Sequence, residues 1–281
     1  VTSYDIPNEI NGKPVTVIDI NTFINHYKLE KIGIGSNVRT IDRCAFLNNI
    51  SLKEIVIPDS VETLGAAAFM GCTGLESATI GKGVKLIDQN AFAYCPNLKT
   101  VKLSDGLETI GSKAFADCSS LTEIELPSSV KGLGDSSFIN CSSLSSVKLN
   151  NGLTAIGSIA FKNCTSLTTI TIPKSVTSFN NDAFAGCSSL KTVYYYTSLN
   201  VQPEDVTATV VGISENSTGV SVDKVKFNSG VTAYVIPSVI DGKTVTAVGN
   251  DVFKINKTLT SVTIPDAVTA IGDNAFSECF E

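Results

Sequence analysis

Apolar residues recur along this chain with a period of 23. Phenylalanine stands at 23, 46, 69, 92, 115, 138, 161, 184, 253 and 276, so every interval is 23 residues or, between Phe184 and Phe253, three times 23. Leu29, Leu52, Leu75, Leu98, Leu121, Leu144, Leu167, Leu190 and Leu259 keep the same beat, followed three and five residues later by further apolar positions such as Ile55 and Ile57, or Ile170 and Ile172. One unit reads L-x-x-[IV]-x-[IL]-x-x-x-[VL]-x-x-[IL]-[GDN]-x-x-[AS]-F-x-x-C. The L-x-x-I-x-I stretch predicts a short strand with its last two apolar residues on one face and the residues between them on the other. One such unit cannot bury its own apolar face, whereas stacked coils can, by lining up parallel strands about 4.8 Å apart around a continuous core. The A-F-x-x-C stretch is compatible with a single helical turn that drives Phe inward.

Two corners are expected in each coil. Asp19, Asp42, Gly65, Asp88, Gly111, Gly134, Gly157, Asn180, Gly249 and Gly272 follow the last branched aliphatic. All are residues that tolerate φ > 0, so a left-handed corner is expected there. At the other corner, Pro58, Pro127, Pro173 and Pro265 are followed two residues on by Ser60, Ser129, Ser175 and Ala267, whereas Gly81, Ser104 and Asn150 are followed by Gly83, Gly106 and Gly152. These are two interchangeable turn solutions, one preset by the φ of proline and one using the freedom of glycine.

With units such as Leu121-Thr-Glu-Ile-Glu-Leu-Pro-Ser-Ser-Val and Ala160-Phe-Lys-Asn-Cys-Thr-Ser-Leu in view, the chain closely resembles the BspA-like leucine-rich repeat family of 23-residue bacterial surface repeats. The match runs over roughly 1–199 and 234–281. The resemblance implies a leucine-rich repeat solenoid, mainly parallel β-sheet with short helical turns wound as a right-handed superhelix. It also implies an extracellular or cell-surface protein that binds host or neighbour-cell proteins or glycans.

The expected organisation is a first array over 1–199, an interruption over 200–230 and a second array starting at 231. Residues 1–18 correspond to 231–248 at an offset of 230, ten periods, through the shared Y-x-I-P-x-x-I-x-G-K-x-V opening. Residues 200–230 lose the Phe and Cys beats, although Ile213, Val222 and Val225 stay in phase. They read either as degenerate coils or as a β-hairpin of Thr207–Ile213 and Val220–Phe227 joined by Ser214–Gly219. Conservation of phase favours the continuous reading, since an unrelated insertion keeps phase about once in 23 lengths. The sequence stops in mid-repeat at Glu281, which suggests a fragment or a poorly capped end.

Charge and chemistry narrow the function. The 281 residues carry 21 basic and 27 acidic side chains, a formal charge of −6 and no Lys/Arg cluster, so nucleic acid and anionic membrane are not expected partners. No run approaches the roughly 18 apolar residues that a membrane-spanning helix requires. His26 is the one histidine, which limits Ser-His-Asp and Cys-His chemistry to a single base lying in a departure from the pattern near the N-terminus. No C-x-x-C, H-E-x-x-H, P-loop or dinucleotide fingerprint points to a metal or other cofactor. Irregularly placed Asp19, Asp42 and Asp88 fit a turn requirement and not a calcium cage. The sequons at Asn49, Asn140, Asn163, Asn216 and Asn256 receive no functional weight, two of them being by-products of the repeated N-C-[ST] turn.

The outward strand side is the expected binding face. It presents Glu54 and Val56, Ser77 and Thr79, Thr100 and Lys102, Glu123 and Glu125, Ser146 and Lys148, Thr169 and Thr171, and Thr192 and Tyr194, with Tyr196 extending the last strand. The candidate contacts are Glu54, Thr79, Lys102, Glu123, Glu125, Lys148, Thr171, Tyr194 and Tyr196, the two tyrosines serving as exposed aromatic anchors. The leading reading is a non-enzymatic binding or adhesion scaffold. A structural spacer carrying another domain is the alternative, and a carbohydrate-active enzyme is a third, because Glu123 and Glu125 share a face at roughly the 7 Å of paired carboxylates.

Eight cysteines invite a count of four disulfides. Seven of them, Cys72, Cys95, Cys118, Cys141, Cys164, Cys187 and Cys279, lie on the 23-residue beat, whereas Cys44 does not. Equivalent residues in stacked coils point in parallel, so a column of reduced, inert thiols is expected, sharing its rung with Asn49 and Asn256.

Overall fold

The computed structural model describes residues 1–197, 208–227 and 231–279. It divides into two compact units, Val1–Leu167 with Ser178–Ser189, and Thr168–Thr177 with Leu190–Glu281.

The first unit is a parallel β-solenoid. Glu54–Ile57, Ser77–Ile80 and Thr100–Lys102 pair in parallel with a 23-residue offset, as do Glu123–Glu125 and Ser146–Lys148. Side chains alternate as the spacing requires, Ile55 and Ile57 being buried while Glu54 and Val56 face out. A second ladder, which the repeat unit does not announce as a strand, consists of eight two-residue segments: Val17–Ile18, Thr40–Ile41, Thr63–Leu64, Leu86–Ile87, Thr109–Ile110, Gly132–Leu133, Ala155–Ile156 and Ser178–Phe179.

The turn carrying Phe also stacks. Phe N–H groups donate forward to the carbonyl just before the next Phe, as in Phe46 to Ala68, Phe69 to Ala91 and Phe115 to Ser137, all at 2.8 Å. The expected helical turn appears as a 3₁₀ segment at Asn181–Phe184, and in other coils as hydrogen-bonded turns, as Ala45 N–H to Asp42 O at 3.2 Å and Leu47 N–H to Cys44 O at 3.1 Å, whose alternate amides serve this ladder. Inside, the rings from Phe23 to Phe184 form a column with centroid spacings of 4.9 to 5.6 Å and interplanar angles of 1 to 13°. Each neighbouring pair adds about 0.5–1.5 kcal/mol beyond the burial of its area.

The cysteine rung explains its own composition. The Sγ of Cys72, Cys95, Cys118, Cys141, Cys164 and Cys187 donates to the Phe carbonyl of the preceding coil at 3.0 to 3.3 Å. Asn49 meets the same demand with its amide, donating to Phe23 O at 2.8 Å and Phe46 O at 2.7 Å. A buried carbonyl needs a donor, and a small thiol or a carboxamide fits there.

The left-handed corner is not where the sequence pattern places it. Positive φ falls two residues later, at Asn21, Cys44, Ala67, Asn90, Lys113, Ser136, Ile159, Asp251 and Asn274, and again two residues after Phe. The Gly/Asp/Asn position has a different cause. A Cβ on Gly65 would lie 2.6 Å from Arg43 N, and one on Gly134 2.5 Å from Ser112 N, so glycine lets consecutive backbones approach. Where aspartate stands instead, its carboxylate accepts the next N–H, as Asp42 does from Arg43 at 2.6 Å and Asp88 from Gln89 at 2.6 Å. At the other corner both turn solutions close the same way: Val61 N–H donates to Pro58 O at 3.1 Å and Leu153 N–H to Asn150 O at 3.2 Å. Asn150 adds its own cap, accepting from Gly152 N–H at 2.6 Å.

In the second unit, Thr169–Ile172, Thr192–Tyr196 and Thr209–Glu215 pair in parallel, and Thr209–Glu215 then pairs antiparallel with Val220–Lys226. The described part of the interruption is therefore a hairpin and not a degenerate coil. Thr207, the expected first residue of that hairpin, lies outside the described residues, as do 198–206, 228–230 and the final two positions. Phase misleads here because the three in-phase residues, Ile213, Val222 and Val225, are shared between the two strands of a hairpin, so their phase does not require a coil. Val220–Lys226 pairs onward in parallel with Lys243–Val248, which in turn pairs with Ala270–Ile271. The opening motif forms a small antiparallel hairpin in each unit. Glu9–Ile10 pairs with Lys13–Pro14 around Asn11-Gly12 at φ 52° and 72°, and Val239–Ile240 with Lys243–Thr244 around Asp241-Gly242 at φ 53° and 71°. Both turns have the type I′ signature of two consecutive positive-φ residues.

Candidate functional site

In the first unit Glu54, Lys102, Glu123, Glu125 and Lys148 are exposed and Thr79 is half-buried. Parallel register stacks Val56 beside Thr79, Thr79 beside Lys102, and Glu125 beside Lys148. The ladder spacing invites ion pairs between rungs, and Lys148 Nζ sits 2.6 Å from Glu125 Oε1. Lys99 and Glu76, just before their strands, pair likewise at 2.9 Å, and the Lys99 hydrogen bond holds the Glu76 carboxyl below the usual range. Such exposed pairs contribute little to stability, but they fix where charge lies along the face. Val56, 58% exposed in mid-strand, is the large apolar side chain of this surface.

Glu123 and Glu125 do share this face, with Ile124 buried between them. Paired glycosidic carboxyls work in an enclosed setting that keeps one of them protonated. Here both are exposed, and Glu125 is held by Lys148.

In the second unit Thr171 and Tyr194 are half-buried and stand side by side in the parallel register. Burial pushes the Tyr194 hydroxyl above its ordinary range. Tyr196 departs from expectation: it is 2% exposed and cannot serve as a surface anchor. Its hydroxyl donates to Asp241 Oδ2 at 2.8 Å, and Lys243 Nζ lies 5.6 Å from its ring centroid. Burial, then the bond to Asp241, push that hydroxyl up to about 12. The neighbour of its strand is the hairpin and not another coil, so the in-and-out alternation of the array ends at Tyr195, and both tyrosines are covered.

Around Tyr196 the structure assembles a polar cluster that the repeat pattern hides. Glu215 accepts from Lys243, and from Lys174 at 3.0 Å, which together hold its carboxyl below the usual range. The Asp241-Gly242 dipeptide, a hairpin-turn signal, was the one cue available in the sequence. His26 lies exposed on the rung that cysteine occupies elsewhere, with Nδ1 3.1 Å from Ile24 O. Among the described residues, no group of three or more His, Cys, Asp or Glu is placed to hold a metal ion. No helix among them is long and apolar enough to cross a membrane.

Comparison with known proteins bears on the same repeats. The family model for the BspA type leucine rich repeat region matches in six copies, over 16–141, 108–229 and 227–281. The chain belongs to the BspA-type leucine-rich repeat family. Among solved structures, a leucine-rich repeat protein from Bacteroides ovatus is similar at 25% identity and a TM-score of 0.58, covering 99% of this chain and 84% of that one. A leucine rich cell surface protein from Faecalibacterium prausnitzii is 21% identical over 74% of this chain and 85% of that one, TM-score 0.35. The pneumococcal vaccine antigen PcpA is 18% identical over 97% of this chain and 68% of that one, TM-score 0.49. No curated protein matches. In this BspA-type chain the most regular positions are the inward Phe and Leu columns, with a rung filled mostly by Cys. The outward strand positions change from coil to coil.

Proposed function

We propose that the chain is a non-enzymatic binding or adhesion scaffold, cell-surface or secreted, that presents its strand face to protein or glycan ligands. The observation that carries this reading is the in-register outward row Glu54, Val56, Thr79, Lys102, Glu123, Glu125 and Lys148, held by a rigid core and varied in chemistry from rung to rung. Hydroxyls and charges at fixed spacing supply many weak contacts, which display in several copies multiplies. Thr171 and Tyr194 offer a comparable pair in the second unit, with Tyr194 as the aromatic contact.

The structure offers no support of its own for the spacer reading, and the exposed, lysine-bound Glu125 argues against the glycosidic one. The test is a screen of the protein against immobilised glycans and extracellular matrix proteins. Saturable binding lost on Lys102→Glu/Lys148→Glu is expected; turnover of any glycan abolished by Glu125→Gln would replace this reading with the enzymatic one.

A further inference from the structure

The two-residue ladder of the first unit is edged by charge. The residues that precede five successive rungs are Arg39, Glu62, Lys85, Glu108 and Lys131, a strict alternation of base and acid, all exposed. Backbone bonds hold them at ladder spacing, as in Glu62 N–H to Arg39 O, Glu108 N–H to Lys85 O and Lys131 N–H to Glu108 O, each at 2.8 Å. Within the chain these charges are little used. Arg39 Nε stands 4.0 Å from Glu62 Oε1, whereas Lys85, Glu108 and Lys131 make no ion pair among the described residues.

The outward side chains beside them are Thr40, Thr63, Leu86, Thr109, Gly132 and Ala155, stacked in parallel. Their size falls along the row. Leu86, 41% exposed, is its large apolar member, and a Cβ on Gly132 would meet nothing within 4 Å. The row runs along the flank of the stack, with Val17–Ile18 beyond one end and Ser178–Phe179 beyond the other. Further coils at either end of the stack would therefore leave it uncovered.

We infer that this flank is the interface of an antiparallel homodimer, a second copy of the chain being the partner it fits. A two-fold axis lying along the strand direction reverses the row and lays it on itself, as an isologous interface requires. An axis through a rung, or one parallel to the stack, sets like charges against each other, whereas an axis between rungs sets opposite charges against each other. With the axis midway between the rungs of Lys85 and Glu108, Lys85 of each copy faces Glu108 of the other, and Glu62 of each faces Lys131 of the other. The same placement matches size. Leu86 faces Thr109, Thr63 fills the open space at Gly132, and Thr40 faces Ala155. Moving the axis one rung toward the N-terminus leaves Lys131 opposite Thr16, without an acid, so the size match and the charge match select the same register. Charge sets orientation and register here, and the cover that Leu86 gains beside the axis supplies affinity. The row is about 24 Å from its first rung to its last, which is small for a specific interface, so a micromolar, salt-sensitive dimer is expected. This flank is separate from the outward strand face, and its assignment does not depend on the function proposed for that face.

The test is sedimentation equilibrium of the full chain from micromolar to millimolar concentration, at low and high salt. It compares the parent with two charge-reversed variants, Glu62→Lys/Glu108→Lys and Lys85→Glu/Lys131→Glu. The parent is expected to dimerise, less tightly in high salt. Each variant alone is expected to dimerise more weakly by roughly tenfold or more, because every pair across the axis becomes like-charged. An equimolar mixture of the two variants is expected to recover a heterodimer, because every pair across the axis is then opposite, and that recovery also shows both variants to be folded. Both leave the outward strand face unchanged, so loss of the dimer and loss of ligand binding are separate readouts. A parent that stays monomeric over the whole range, a dimer indifferent to either reversal, or a mixture no better associated than its components overturns the assignment.

Discussion

Asn49 is the residue whose replacement discriminates most sharply between a packed rung and a merely tolerant one. Its side chain is fully buried and its amide donates to two carbonyls, Phe23 O and Phe46 O, while its own Oδ1 has no hydrogen-bond partner. Asn49→Asp keeps the shape and removes both donors. An ionised carboxylate facing two carbonyls is untenable, so the folded state must bind a proton. Holding an acid of ordinary value near 3.9 protonated at pH 7 costs about 4 kcal/mol, at 1.36 kcal/mol per pH unit. The protonated acid restores one of the two bonds, and the lost one costs about 1 kcal/mol more. The expected destabilisation is therefore about 5 kcal/mol at neutral pH, measured as the shift in urea unfolding followed by circular dichroism. The sign with pH follows. A carboxyl raised in the folded state leaves that state binding more protons than the unfolded chain, so the deficit grows as pH rises and shrinks to about 1 kcal/mol below pH 4. Asn49→Cys, which copies the other rungs and removes the orphaned Oδ1, should stay within about 1 kcal/mol of the parent. A neutral-pH Asn49→Asp protein within about 1 kcal/mol of the parent, or a deficit that does not narrow on acidification, would refute the hydrogen-bond account of the rung.

Three further outcomes are expected. Gly134→Ala should destabilise by about 1–3 kcal/mol because its Cβ would strike the Ser112 amide, whereas Gly132→Ala, with no atom within 4 Å, should be neutral or stabilise by about 0.4–1 kcal/mol; urea unfolding of the two variants side by side reads the difference. In the native protein Cys44, the half-buried thiol, should react first with a thiol reagent, while Cys72 and Cys141, pushed by burial up to about 12, and Cys95 and Cys118, also raised by burial, should resist; denatured protein yielding fewer than about six free thiols would contradict a reduced column. Glu215→Gln should lower the melting temperature at neutral pH by freeing Lys243 and Lys174. Because the Glu215 carboxyl is depressed in the folded state, the difference should vanish as pH falls through that depressed value and should shrink in high salt.

How much of this was legible depends on whether a residue's identity reports a local or a stacking requirement. The Phe, Leu and Cys columns were readable because each coil repeats the same inward demand, and Asn49 was readable as a member of the cysteine rung, though its donor role was not. The corner was misplaced because glycine there answers to the neighbouring backbone, as at Gly65 against Arg43, and not to its own φ. The true positive-φ positions carry Cys44, Ala67, Lys113 and Ile159, types with no left-handed preference, whose N–H groups donate to the next coil and whose carbonyls accept within their own turn. Tyr196 was misread because alternation within a strand says nothing about what lies beside it, and the covering hairpin has no repeat signature. The Glu215 cluster was invisible for the same reason: Lys174, Glu215, Asp241 and Lys243 come from segments that only the hairpin brings together.

The central claim is that the outward strand face is what this scaffold offers to a ligand. Surface plasmon resonance against a panel of immobilised glycans and matrix proteins tests it most directly, comparing the parent with Val56→Asp/Lys102→Glu/Lys148→Glu and with Glu62→Lys/Glu108→Lys, which alters charge beside the two-residue ladder instead. Saturable binding by the parent, lost in the first variant and kept in the second, is the predicted result. No saturable binding by the parent to any member of the panel, or binding that survives the first variant, would contradict it.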